Sequence, residues 1–161
     1  MQIDPKFNQL IDENKLLIQK VCRVYSDNQD DFLDYYQEVC IQLWRSMQSF
    51  RGDSAQSTWV YRVAINTCIG QLRKVKRKID TTPLEGKPLN IPGEADNPTK
   101  ERLDLLYQSI RKLKETDRAL ILLYLEDKSY KEITDIMGIT MSNVGVRINR
   151  IKAQLKGMIN G

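Results

Sequence analysis

No histidine occurs among the 161 residues. That absence excludes Cys/His zinc fingers, His-metal hydrolases and every catalytic triad with an imidazole base. Cysteine is scarce as well, with three in the chain. Cys22, Cys40 and Cys68 stand far apart among apolar residues of expected helices. Such spacing supports neither a disulfide framework nor a metal site, and a reducing, cytoplasmic setting is expected. No apolar run approaches the length of a membrane span, and the first residues lack the apolar core of a signal peptide. Membrane insertion is therefore not expected. What remains is 41% hydrophobic and 29% charged, enough apolar side chain for one ordinary domain or two small cores.

The positive charge is unevenly placed. Arg51, Arg62, Arg73, Lys74, Lys76, Arg77 and Lys78 face Asp53 alone within residues 51–78, and Lys128, Lys131, Arg147, Arg150, Lys152 and Lys156 outweigh Glu132 and Asp135 within 128–161. Acids prevail elsewhere. Two separate basic blocks suit a polyanion that touches both halves of the chain.

Hydrophobic periodicity predicts helices throughout. Phe7, Leu10, Ile11, Leu17, Ile18, Val21 and Tyr25 share a face of a first helix, from Pro5 to about Tyr25. A second runs from Phe32 to about Met47, with Phe32, Tyr36, Val39, Cys40, Leu43 and Met47 on its apolar side and Asp34, Gln37, Glu38, Gln42 and Arg45 on its polar side. In the third, read at helical period from Ser54 onward, Tyr61, Ile65, Cys68, Leu72, Val75 and Ile79 form an apolar stripe. Roughly opposite lie Trp59, Arg62, Asn66, Gly70, Arg73 and Arg77. Aromatic, amide and guanidinium groups in file suit a nucleic-acid strand, rings stacking on bases while cations follow phosphates. The same pattern also fits a surface helix with a core tryptophan and a solvated basic end.

Residues 80–99 hold Pro83, Pro88, Pro92 and Pro98 with Gly86 and Gly93, and no helical period survives there. The segment 79–99 reads as an extended linker between a domain at 1–78 and another at 100–161. The fold class expected is all-α: two small helical domains on a flexible Pro/Gly linker. Leu103, Leu106, Tyr107, Ile110 and Leu113 mark a helix, and Thr116 stands where it can cap the next. Ser129 and Glu132 form a capping box, Gly138 suits a left-handed C-cap, and Thr140 can cap a longer basic helix. Val144, Ile148, Ile151 and Leu155 form its buried stripe. This order describes a helix-turn-helix, although a plain helical hairpin has the same signals. Its second helix would present Met141, Ser142, Asn143, Val146, Arg147 and Arg150 to a major groove, with Lys131 and Lys152 on phosphates.

Taken together, these segments resemble the compact extracytoplasmic-function (ECF) sigma factors of bacterial RNA polymerase. Residues 31–74 look like that family's second conserved region, and 113–156 like its fourth. The string FRGDSAQSTWVYRVAIN is the most specific part of the resemblance. It implies that Asp34, Gln37, Glu38, Gln42 and Arg45 dock on the polymerase clamp, with further contact to the flap. It implies that Phe50, Arg51, Gly52, Asp53, Ser54, Trp59, Arg62, Asn66 and Arg73 serve capture of melted minus-ten bases, Trp59 and Tyr61 as buttresses. The helix from Thr140 would read the minus-thirty-five duplex. Core polymerase, promoter DNA in single- and double-stranded form and an anti-sigma factor are the implied partners, with no cofactor, no metal and no catalysis. Gly145 and Val146 depart from the family, which often has a basic or polar residue there. Two other readings compete. One is a helix-turn-helix regulator with an amino-terminal sensor or dimerisation domain; the other is a DNA-processing enzyme.

Overall fold

A computed structural model describes residues 4–50, 52, 55–78 and 98–160. Among these the regular structure is helical: α1 (Pro5–Tyr25), α2 (Gln29–Ser46), a short 3₁₀ turn (Met47–Ser49), α3 (Gln56–Lys78), α4 (Pro98–Ile110), α5 (Glu115–Leu125), α6 (Tyr130–Met137) and α7 (Met141–Asn160). Local chemistry explains several of the starts. The Asp4 carboxylate accepts from the Lys6 amide at 2.9 Å ahead of Pro5, whose missing N–H is no loss in a first turn. The Asn28 side chain accepts from the Asp31 amide at 2.9 Å, which starts α2 before the first expected residue, Phe32.

Helices α1, α2 and α3 pack on one another. Ile18, Val21, Cys22, Val39, Leu43, Val60, Ala64 and Cys68 are wholly buried between them. The expected stripe of α3 is inward at Tyr61, Ile65, Cys68 and Leu72, half-buried at Val75, and its last member Ile79 lies outside the described residues. The thiols of Cys22 and Cys68 meet at 4.0 Å, and their mutual hydrogen bond together with burial pushes Cys22 well above the ordinary thiol range. Both are inert core side chains.

In the carboxy-terminal half, α5 lies against α6 and α7. Leu120, Leu123, Ile133, Val144, Ile148 and Ile151 are fully buried there. Burying a side chain of this size contributes about 1.5–3 kcal/mol, so these few residues dominate the unit. Two expectations are corrected. Thr116 does not cap α5, whose N-cap is Lys114 with no side-chain bond; the Thr116 hydroxyl instead accepts from Arg147 at 3.0 Å. The linker was expected to reach residue 99, but Pro98 and Thr99 already belong to α4, because proline fits a helix's first turn. The rest of that linker, 79–97, lies outside the described residues.

The two halves also pack together, α1 on α5 and α4, and α3 on α6 and α5. All of Val21–Ser26, the end of α1, is buried. Arg23 is buried there too, bonded to Asp104 at 2.6 Å and lying 4.0 Å from the Tyr107 ring centroid.

Candidate nucleic-acid interface

The approach to α3 sets the first surface. Phe50 stacks on Trp59 with centroids 4.7 Å apart and planes at 24°. Trp59, in the first turn of α3, is half-buried. Gly52 is exposed at φ +76°, with no atom within 4 Å of where a Cβ would stand. That backbone conformation favours glycine, so the residue sharpens the turn rather than making room. Arg51, Asp53 and Ser54 lie outside the described residues.

Asn66 is exposed seven residues, about two turns, beyond Trp59. It lines a groove of about 280 Å³ with Thr67, Gly70, Gln71 and Lys74 of α3 and with Glu38 and Gln42 of α2. Gln42 donates to Glu38 at 3.1 Å across this wall. The structure thus brings together side chains that the sequence reading had assigned to two partners. By contrast, the file of polar residues on α3 is divided. Arg62 donates to the Asp135 carbonyl at 2.8 Å, and Arg73 pairs with Glu115 at 2.8 Å. One edge of the face meets the carboxy-terminal half, while the edge with Asn66 and Lys74 stays open.

On α2, Asp34, Gln37 and Arg45 are exposed, and Glu38 and Gln42 half-buried. Beside them stand Leu33, Ile41 and Trp44, exposed at 54%, 36% and 47%. With Gln37 they follow the spacing 33, 37, 41, 44, one face of a helix. Phe7 meets Trp44 edge-on at 5.2 Å, which fixes the indole at the surface. Sequence reasoning missed these apolar residues because it sorted α2 into one buried stripe and one polar side. The signal was a tryptophan off the Phe32–Val39–Leu43 line.

The helix-turn-helix forms as expected. Glu132 and Ser129 bond reciprocally at 3.1 Å, and the Ser129 amide, then its hydroxyl, hold the Glu132 carboxyl below its usual range. Gly138 adopts φ +71° as the C-cap of α6, and the Thr140 hydroxyl accepts from the Asn143 amide at 3.3 Å. Met141, Ser142, Asn143, Val146 and Lys131 are exposed. Arg147 is turned against its own unit: it pairs with the buried Asp117 at 2.7 Å, and Arg150 approaches the same carboxylate at 3.7 Å. Lys152 donates to the Tyr124 hydroxyl at 3.1 Å.

Gly145 has room for a methyl group. A Cβ there would lie 3.4 Å from a ring carbon of Tyr130, ordinary van der Waals contact. Gly145→Ala is expected to raise stability by up to about 1 kcal/mol through helix propensity, read as a higher urea midpoint of the whole chain.

A chain whose described residues are helical, with a basic helix in one half and a helix-turn-helix in the other, has the build of a DNA-binding protein. Comparison with known proteins narrows the class. The Sigma-70 region 2 family profile matches residues 10–78, and the Sigma-70, region 4 profile matches 103–155. The ECF RNA polymerase sigma-E factor of Escherichia coli (strain K12) is 33% identical over 141 residues, covering 80% of this chain and 74% of that one. The sigma-E factor of Haemophilus influenzae is 31% identical over 144 residues, covering 82% and 76%. Among solved structures, the sigma factor RpoE in complex with the anti-sigma factor NepR from Bartonella quintana superposes with a TM-score of 0.78 at 19% identity, over 98% of both chains. CnrH in complex with the cytosolic domain of CnrY gives 0.68 at 19% identity, over 96% of this chain and 87% of that one.

The chain belongs to the sigma-70 family, as an ECF sigma factor. Its function is that of the family: it binds core RNA polymerase and recognises promoter DNA to start transcription. Sigma factors are not enzymes. Among the described residues no helix is long and apolar enough to cross a membrane, and no cluster of metal-ligating side chains occurs.

Proposed function

We propose that residues 1–78 engage polymerase and the melted minus-ten element, and that residues 98–161 read the minus-thirty-five duplex, the run 79–97 joining them. The observation that carries this reading is the α2–α3 groove. Asn66 opens onto it beside Glu38 and Gln42, so a base held at Asn66 sits against the helix that faces the polymerase clamp. Coupling the two contacts lets polymerase binding position the strand that is to be captured.

On α2, Asp34, Gln37, Glu38, Gln42 and Arg45 form the polar part of the clamp surface. Ile41 and Trp44 add the apolar area that a stable docking site needs at its centre. At the minus-ten element, Phe50 to Ser54, Trp59, Arg62, Asn66 and Arg73 act together, with Trp59 holding the loop from below. On α7, Met141, Ser142, Asn143, Val146, Arg147 and Arg150 serve the groove of the upstream duplex, and Lys131 on α6 and Lys152 on α7 supply phosphate contacts. The groove-facing apolar residues suit thymine methyl groups. The protein itself catalyses nothing and works in the cytoplasm, where polymerase is. One structural neighbour was solved in complex with an anti-sigma factor, and a partner of that kind is proposed for this chain. The alternative of an amino-terminal sensor is set aside, because residues 10–78 match region 2.

The direct test is reconstituted transcription on a promoter mapped after overexpression. Core polymerase with this chain is expected to give a discrete start that polymerase alone does not. Absence of any sigma-dependent start on mapped promoters would overturn the reading.

A further inference from the structure

The buried stripe of α7 fixes where its open face lies. Val144, Ile148, Ile151 and Leu155 all point into the carboxy-terminal core. At about 100° per residue, the line on the opposite side runs through Ser142, Val146, Asn149 and Ala153. All four are exposed. Arg150 lies beside that line. Arg147 is further round, toward α5, bonded to Asp117 at 2.7 Å and to the Thr116 hydroxyl at 3.0 Å. From Val146 through Asn149 and Arg150 to Ala153 the steps are i, i+3, i+4 and i+7, the spacing by which a recognition helix meets base edges along a major groove.

Asn149 is the member of this line that neither packing nor helix chemistry explains. Asparagine is a poor helix former, suited to caps and turns, yet here it is the ninth residue of a helix of 20. Val146 and Ala153 carry no polar side-chain atom, and Ser142 has only a short hydroxyl. Asn149 alone on the line offers a donor and an acceptor on one planar group. That carboxamide matches the N6 donor and N7 acceptor of adenine with two parallel hydrogen bonds, whereas guanine presents two acceptors on the same edge. Val146, exposed at 69% about one turn before it, sets an apolar surface beside the pair, where water would otherwise compete.

We propose that Asn149 is a specificity-determining residue for the upstream element, its carboxamide reading one adenine through N6 and N7. This inference rests on the reading of α7 given above, to which it adds a residue and the base that residue selects.

The test uses the full chain on core polymerase and a pool of promoter duplexes randomised across the upstream element. The wild type is expected to enrich one A·T pair about 10-fold over other pairs at its position. Asn149→Ala should lose that preference and keep the rest of the selected sequence, and Asn149→Gln, with the same amide on a longer stem, should retain adenine in part. Each adenine of the selected duplex is then replaced in turn by 7-deazaadenine, which pairs normally but has carbon in place of N7. At one position the replacement should weaken wild-type binding about 5-fold and leave Asn149→Ala unaffected. Alanine is the better helix former, so the urea midpoint of Asn149→Ala should be no lower than that of the wild type, which separates lost reading from lost folding.

A loss of affinity that is uniform over all sequences marks a backbone contact and overturns the assignment, as does no loss at all. Selected adenines that are all indifferent to Asn149→Ala overturn this inference and leave the reading of α7 standing. A wild-type pool with no upstream preference at any position overturns that reading, and the inference with it.

Discussion

Replacing Arg147 with alanine is expected to destabilise the chain by about 2 kcal/mol. Asp117, with a side chain only 5% exposed, loses its 2.7 Å partner in that variant. Breaking a fully buried pair costs about 3–5 kcal/mol. The Arg147 side chain keeps 20% exposure, and Arg150 stands 3.7 Å from the second carboxylate oxygen, so water and a remaining cation offset part of that. Urea denaturation followed by circular dichroism measures the loss as a lower midpoint. Duplex binding supplies the second reading. If Arg147 also contacts a phosphate, the slope of log affinity against log salt falls by about 0.9 in magnitude. An unchanged midpoint would show that the pair with Asp117 does not hold α7 on α5. Asp117→Asn separates the two effects, since it removes the carboxylate and leaves the guanidinium for DNA.

Asn66→Ala is expected to slow promoter opening by about 10- to 100-fold, the loss of a well-made amide-to-base contact worth about 1–3 kcal/mol. Asn66 is exposed and lines an open groove, so the fold should not change. Binding to core polymerase should also stay as it is, because Asp34, Gln37 and Trp44 are untouched. Opening is followed with a fluorescent base in the minus-ten region, or by permanganate reactivity of unpaired thymines. A wild-type opening rate would remove Asn66 from the site and leave the groove to Glu38, Gln42 and Lys74. The physical basis is that extruding a base costs a few kcal/mol, so each group that holds it counts fully in the opening rate.

The sequence showed most clearly what depends on near neighbours. The capping box from Ser129 to Glu132, the positive φ at Gly138 and the Thr140 cap span three residues or none. The buried stripes of α3 and α7 follow helical spacing. Thr116 is the instructive error: the residue type suits a cap, but its hydroxyl serves Arg147, 31 positions away. The apolar exposure of Ile41 and Trp44 was legible only as a departure from the stripe, and the division of the α3 polar face was not legible at all.

Family, helix content and the two basic blocks were therefore written in the order of residues, because each follows from local periodicity, caps and motif spacing. Only the tertiary structure decided that Arg62 and Arg73 meet the carboxy-terminal half, that Arg147 is tied to Asp117, and that Asn66 shares a groove with Glu38 and Gln42. Those pairings join residues 24 to 73 positions apart. A long charged side chain chooses among many partners within reach, and which one is near enough depends on how whole helices pack.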